Sequence, residues 1–205
     1  MPVKMKIYSD YMCPFCYLAY AYVKELEKTW DLDIEWISFE LHPETPAEGI
    51  LLKDRFGKEK TKRMVEGLRE KGHPYGLEFG NLYFMPNSRL VLEASEYARE
   101  SGKFEDFHQK VFYEHFTNLV DIGKKDVIMK LAHDCGMDEK ELESKLDEKY
   151  YTGRIETIHK AAKDSGVGKT PYFVVENRFS IERPGSIDDI IDVLKKTGKE
   201  CGQHG

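Results

Sequence analysis

Val3-Lys4-Met5-Lys6-Ile7-Tyr8-Ser9 leads through Asp10-Tyr11-Met12 into Cys13-Pro14-Phe15-Cys16, and a helix-like run from Leu18 to Trp30 follows. Val3, Met5 and Ile7 alternate with Lys4 and Lys6, the period of a strand with one buried face. Leu18, Ala21, Tyr22 and Leu26 recur at helical spacing. The two cysteines therefore fall where a strand hands over to a helix. Pro14 suits that position, because the first helical residue needs no N–H partner. Two cysteines three apart on one helical turn are close enough for a small disulfide. The helix N-terminus also offers unpaired N–H groups and a partial positive charge. That field stabilises a thiolate, lowering a cysteine pKa from about 8.5 to roughly 3.5–7.5. The first reading is a dithiol/disulfide exchange site, with Cys13 as the exposed nucleophile and Cys16 as the resolving thiol.

Other readings of the pair are weaker. A zinc site would need a second cysteine pair or two closely spaced histidines. Cys135 and Cys201 stand alone, and no H-x3-5-H pair occurs among His42, His73, His108, His115, His133, His159 and His204. No metal is expected. A purely structural disulfide fits poorly with a chain whose N-terminus runs straight into a strand. With no apolar leader and no small-residue cleavage site there, a cytoplasmic location is expected.

The chain has 205 residues, enough to bury a sizeable core as one domain with an insertion. A net charge of −6 argues against a nucleic-acid surface. No apolar run approaches the ~18 residues of a membrane span, so no membrane partner is expected. Leu32, Ile34 and Trp36 alternate with Asp33 and Glu35, which gives a second strand reaching Phe39 or Leu41. Strand, helix and strand in this length form a βαβ unit with a parallel pair. A polar stretch with Pro43 and Pro46 then leaves the sheet, and the pattern is helical to about Ser165. A short helix over Lys58–Leu68 and a long loop are expected, with later helical faces at Val91–Ala98, Phe104–Phe116, Val127–Ala132 and Leu142–Ala162. The last is expected to break at Gly153, and Asp138 with Glu141 is placed like an N-cap and its box partner. Tyr172 to Val175 and Phe179 to Ile181 read as a hairpin. Ser186 with Asp189 caps a final helix carrying Ile187, Ile190, Ile191 and Leu194.

The order βαβ, helical segment, ββα is the layout of a thioredoxin fold (class α/β) with an inserted all-helical subdomain. Over nearly its full length the chain resembles the DsbA-like disulfide oxidoreductases, and within them the FrnE-like branch. Ser9-Asp10-Tyr11-Met12-Cys13-Pro14-Phe15-Cys16-Tyr17 is similar to that family's strand–C-P-x-C–aromatic segment. Gly166-Val167-Gly168-Lys169-Thr170-Pro171-Tyr172-Phe173-Val174 is similar to its G-V-x-G-x-P-x-F-V segment. Pro184-Gly185-Ser186 opens the last helix. The resemblance divides the chain into a core of residues 1–41 and 165–200, an insertion of 42–164 and a tail of 201–205.

Pro171 alone permits either a cis bond or an ordinary trans proline starting a strand; the resemblance implies cis, opposite Cys13. It also implies that Thr170 and Pro171, with Pro14 and Phe15, contact substrate. A thiol–disulfide oxidoreductase acting on protein or small-molecule thiols and disulfides is then expected. No cofactor is implied beyond glutathione as a candidate co-substrate. A related branch, the 2-hydroxychromene-2-carboxylate isomerases and kappa-class glutathione transferases, typically has serine where Cys13 stands, so a glutathione-dependent isomerase or transferase is the second reading. A chaperone-like binding module is the third. Phe15 brings no charge to the pair, which implies a less acidic thiol than a histidine there would give. Cys135 reads as a core cysteine and Cys201 as a tail residue without a role. His42 reads as a loop-surface residue and Ser88 as a helix cap. Tyr11, Met12, Phe15, Met85 and Tyr172 are candidates for an apolar rim, although such residues are more often core.

Overall fold

Alternation in the first strand places Val3, Met5, Ile7 and Ser9 inside and leaves Lys4 and Lys6 exposed. In the computed structural model, which describes residues 1–199, this strand is β1, Val3–Ser9. Helix α1, Pro14–Leu26, crosses to β2, Leu32–Ser38. The β1–β2 pair is parallel, with Val3 opposite Leu32 and Ser9 opposite Ser38. Nine of the thirteen α1 residues are buried, including an unbroken run from Cys16 to Val23. A helix buried on nearly all sides is enclosed by other elements, here by the sheet on one side and further helices on the other. It ends at Leu26 rather than Trp30; the Thr29 and Trp30 N–H groups fold back onto the Leu26 carbonyl.

The segment leaving the sheet is not wholly helical. β3, Ile50–Leu51, is followed by α2, Leu52–Phe56, and α3, Lys58–Gly72. A short 3-10 turn, His73–Tyr75, ends α3, which runs four residues past the expected Leu68. β4, Phe84–Met85, then pairs antiparallel with β3. Strands of two residues are too short to show periodicity, so the sequence hid this hairpin. Next come α4, Arg89–Glu100; α5, Phe104–Phe116; α6, Lys125–Asp134; α7, Glu139–Asp147; and α8, Thr152–Asp164. The break between the last two falls at Lys149, which has a φ of 55°, and not at Gly153, which lies in the first turn of α8. Asp138 caps α7 by accepting from the Glu141 N–H. Ser88 takes the N-cap position of α4 as expected, but its side chain makes no cap bond; Asn87 Oδ1 accepts from the Arg89 N–H at 2.9 Å instead.

β5, Tyr172–Val175, pairs antiparallel with β1 and with β6, Phe179–Glu182. The sheet order is β2-β1-β5-β6. α9, Ile187–Lys195, closes the fold behind a full capping box of Ser186 and Asp189. One contiguous core runs from Ile7 and Phe173 of the sheet, through α1, to Phe112 and Phe116 of α5. Tyr17 stacks on Phe112 and Phe116 with centroids 5.7 and 5.6 Å apart, joining the two parts. Such pairs contribute about 0.5–1.5 kcal/mol each beyond area burial.

Candidate functional site at the start of the first helix

The turn between β1 and α1 is held by the chain's own backbone and by one buried carboxylate. The Cys13 N–H donates to the Asp10 carbonyl, and the Cys16 N–H donates to the Cys13 carbonyl. Asp10 Oδ1 accepts from the Met12 N–H at 3.1 Å, and Oδ2 from the Leu41 N–H at 2.7 Å. The carboxylate thus ties the cysteine turn to the chain leaving β2. Burial pushes its pKa up to about 6, against these lowering bonds. Cys13 is the N-cap residue in extended conformation, and Pro14 is the first helical residue.

Cys13 and Cys16 lie 3.6 Å apart, both as free thiols. Cys16 is fully buried, and Cys13 is only 4% exposed, so the nucleophile is not the exposed group expected from sequence. Burial alone would raise the Cys13 thiol. The Cys16 side chain, Thr170, the Arg183 charge and the Cys16 N–H outweigh it and hold Cys13 below the usual thiol range. Cys16 goes the other way, pushed well up by burial first and then by Cys13. The Cys13 thiol donates to the Thr170 carbonyl at 3.5 Å. The Thr170–Pro171 peptide bond is cis.

Arg183 supplies the charge that Phe15 lacks. Its guanidinium lies 4.6 Å from the Phe15 ring centroid, and its Nε donates to the Thr170 carbonyl at 3.3 Å. A cation over an aromatic face is held by the ring quadrupole, so Phe15 places a positive charge near the thiol instead of carrying one. This contact was not legible in the sequence, since Arg183 lies far along the chain from Phe15 and Cys13.

A cavity of about 620 Å³ opens on Cys13, within the ~300–1,000 Å³ usual for small-molecule sites. One wall is Met12, Cys13, Pro14, Phe15 and Arg183. The facing wall comes from the central segment: Leu52, Phe56, Met64, Phe84 and Met85, with the cations Lys60 and Arg63. His42 also lines it, bonded to Glu44 and Arg55, and is therefore not merely a loop-surface residue. Of the proposed rim, Met12, Phe15 and Met85 are present. Tyr11 is buried away from the cavity and bonds His108, and Tyr172 packs on Tyr8. Thr170 and Pro171 lie beside Cys13 without lining the cavity. A groove of about 520 Å³ on the other face of α3 holds no thiol. Cys135 is half-buried at the end of α6, its thiol raised by burial, and Cys201 lies outside the described residues. Among the described residues no helix is long and apolar enough to cross a membrane.

A β2-β1-β5-β6 sheet with an asymmetric thiol pair at the first helix defines a thiol–disulfide oxidoreductase on a thioredoxin fold. The chain belongs to the DSBA-like thioredoxin domain family, whose model matches residues 4–192. It is 29% identical over 178 residues to the uncharacterized protein YwbO of Bacillus subtilis, covering 85% of this chain and 88% of that one. A crystal structure of a probable DsbA oxidoreductase from Streptomyces coelicolor superimposes with a TM-score of 0.87 at 17% identity, covering 99% of this chain and 93% of that one. The cytosolic disulfide reductase DsbM from Pseudomonas aeruginosa, solved with GSH, gives 0.68 at 15% identity, with 95% and 98% covered.

Proposed function

We propose that the protein is a cytoplasmic thiol–disulfide oxidoreductase in which Cys13 is the nucleophile and Cys16 the resolving thiol. The observation that carries this is the opposite displacement of two thiols 3.6 Å apart, Cys13 more acidic and Cys16 less. The Cys13 thiolate attacks one sulfur of a substrate disulfide, and the other sulfur leaves as a thiolate. Cys16 loses its proton and attacks Cys13 Sγ, which frees the second substrate sulfur and leaves a Cys13–Cys16 disulfide. Oxidation of substrates runs the same steps backward. Pro14 and Phe15 contact the substrate body, and the Thr170–Pro171 backbone holds it beside the thiol.

Glutathione is proposed as a co-substrate. The cavity is the size of a small-molecule site, and Lys60, Arg63 and Arg183 line it, Lys60 and Arg183 lying over the Phe56 and Phe15 rings and none of the three in a salt bridge among the described residues. Carboxylates on a small thiol would complement them. The DsbM neighbour, described as cytosolic and solved with GSH, supports both the ligand and the location.

Cys16→Ser is expected to accumulate mixed disulfides, Cys13→Ser to form none, and limiting alkylating reagent to label Cys13 first. Faster labelling of Cys16 would reverse the roles. Titration of the pair against glutathione redox buffer, followed by mass of the alkylated forms, gives the direction in which it is poised.

A further inference from the structure

Helices α2 and α3 carry a charge opposite to that of the whole chain. Residues 52–72 hold eight Lys and Arg against four Asp and Glu, in a protein whose net charge is −6. In the later helices the cations are neutralised within the fold: Lys125, Lys145 and Arg154 each reach two carboxylates. On α3 they are not. Lys58, Thr61, Lys62, Val65, Glu66 and Arg69 follow one another at helical spacing, so they share one face, and this face lines the groove of about 520 Å³. Lys53 of α2 joins them there. Lys53 and Lys58 are exposed and in no salt bridge among the described residues. Arg69 donates to the Phe79 carbonyl and to Asn81 Oδ1, not to a carboxylate. Glu66 is the acid of the lining, 4.0 Å from Lys62 in a contact open to water, the weakest class of ion pair.

The groove has an apolar part as well. Val65 and Leu82 line it as buried residues, and Leu51 and Tyr83 stand beside them 37% and 56% exposed. With Phe56 of α2, these two make three of the six large apolar side chains exposed among the described residues. Apolar surface rimmed by charge is the composition of a protein-binding face. Leu82 also lines the Cys13 cavity, and the neighbouring face of α3, with Lys60, Arg63 and Met64, is a wall of that cavity. α3 is therefore a ridge between the thiol and the groove. From Lys58 to Arg69 it rises about 16 Å, the span of about five extended residues.

We propose that this groove docks an acidic polypeptide segment next to the disulfide that Cys13 attacks, which makes protein disulfides flanked by Asp or Glu and apolar residues the preferred substrates. This rests on the reading of Cys13 as the nucleophile. Carboxylates of the segment meet Lys53, Lys58 and Lys62, and its apolar side chains cover Leu51 and Tyr83. Charge complementarity of this kind selects partners and speeds their encounter.

Two other occupants fit less well. Three extended residues span about 10 Å, no more than the diameter of a helix with its side chains. A tripeptide such as glutathione held at Cys13 therefore does not cover the far side of α3 too. A nucleic acid carries a charge on every unit, and the acidic remainder of this chain repels it.

Peptides whose single cysteine is a pyridyl disulfide test the docking. Cys13 bonds to the peptide sulfur, and pyridine-2-thiolate leaves and takes up a proton to give an absorbing thione. One peptide flanks its cysteine with Glu and Leu, a second has Lys in place of Glu, and dipyridyl disulfide carries no peptide. The protein is reduced and carries Cys135→Ser and Cys201→Ser. Release from dipyridyl disulfide that persists in Cys13→Ser would sink the nucleophile itself, whatever the groove does. With that attack intact, the acidic peptide should react faster than the lysine peptide at low salt, and the advantage should shrink as salt screens it. Lys58→Glu combined with Lys62→Glu should slow the acidic peptide by on the order of tenfold, two exposed pairs at about two- to fivefold each. Dipyridyl disulfide should react with this variant as with the parent. Equal rates for the two peptides in the parent, or an advantage that survives the charge reversal, would overturn the proposal. A single-stranded oligonucleotide that competes better than a thiol-free acidic peptide would give the groove to nucleic acid instead. A parent dimer that the reversal dissociates would give it to a second copy of the chain. Tyr83→Ser is the second variant, expected to slow the leucine-bearing acidic peptide and to leave one with Ser in place of Leu unchanged.

Discussion

The two walls of the Cys13 cavity are built in opposite ways. One is nearly local: Met12, Cys13, Pro14 and Phe15 are consecutive, and Arg183 alone arrives from elsewhere. The other collects Leu52, Phe56, Arg63, Phe84 and Phe116 from a hairpin and several helices. The first wall carries the thiol and the Arg183 charge that acts on it. The second carries shape, apolar surface and two cations, and no group that changes the thiol. Exchange chemistry needs only a few atoms held within one turn, so a short segment can encode it. A wall that accepts a ligand is assembled from separate elements and can be altered without touching the chemistry.

The largest expected effect tests whether the two regions also differ in their response to acid. His115, on α5, is buried with its pKa depressed to about 4, mainly by burial. The unfolded chain takes up that proton below about 6.5 and the folded chain does not, so acidification from pH 6.5 to 4 favours unfolding by up to about 3 kcal/mol. Asp10, on the redox wall, has the opposite sign. Its pKa of about 6 lies above the unfolded value of 3.8, so the folded state binds the proton first. Stability from this group rises as pH falls from 6 to 4, again by up to about 3 kcal/mol. Urea midpoints measured across this range should show a shallower acid loss in His115→Gln and a steeper one in Asp10→Asn. Changes of slope in the same direction, relative to the parent protein, in both variants would remove the contrast.

A smaller effect sharpens the division of labour. Arg183→Met removes a charge acting on the thiol itself. The midpoint of the Cys13 alkylation profile should move to higher pH, and labelling at pH 7 should slow for every reagent, charged or not. Arg63→Met should leave that profile in place. A shift of the same size from Arg63→Met would mean that the facing wall tunes the thiol too.

The smallest effect concerns binding alone. Losing Lys60 or Arg63 singly should raise KM for a carboxylate-bearing disulfide about two- to fivefold, the scale of an exposed ion pair at ~0.5–1 kcal/mol. With kcat unchanged, this is the signature of lost uniform binding. An uncharged disulfide of the same size should show no change, and steady-state kinetics on the two substrates decide it.

The strand Val3–Ser9, the Pro14 helix start, the parallel β2 and the Tyr172–Glu182 hairpin were legible because each is written in a period or a turn signal. So was the box of Ser186 and Asp189. The β3–β4 ladder was not, because two-residue strands have no period to read. Lys149 ended α7 through its own positive φ, which no residue type announced, while Gly153, the better breaker on paper, stayed helical.

At the site, the sequence named the thiols, the cis-capable proline and the lowering of the Cys13 thiol, but not the cation that contributes to it. Phe15 was read as a residue without charge, which is true of its side chain and false of its surroundings. By itself the sequence determined the dithiol, its place at a helix start and the sheet that presents it, because these depend on neighbours within a few residues. Tertiary structure alone decided which cation faces Cys13 and which apolar side chains close over it. Those contacts join residues tens of positions apart, and their energies arise from distance, burial and orientation, which only the folded chain possesses.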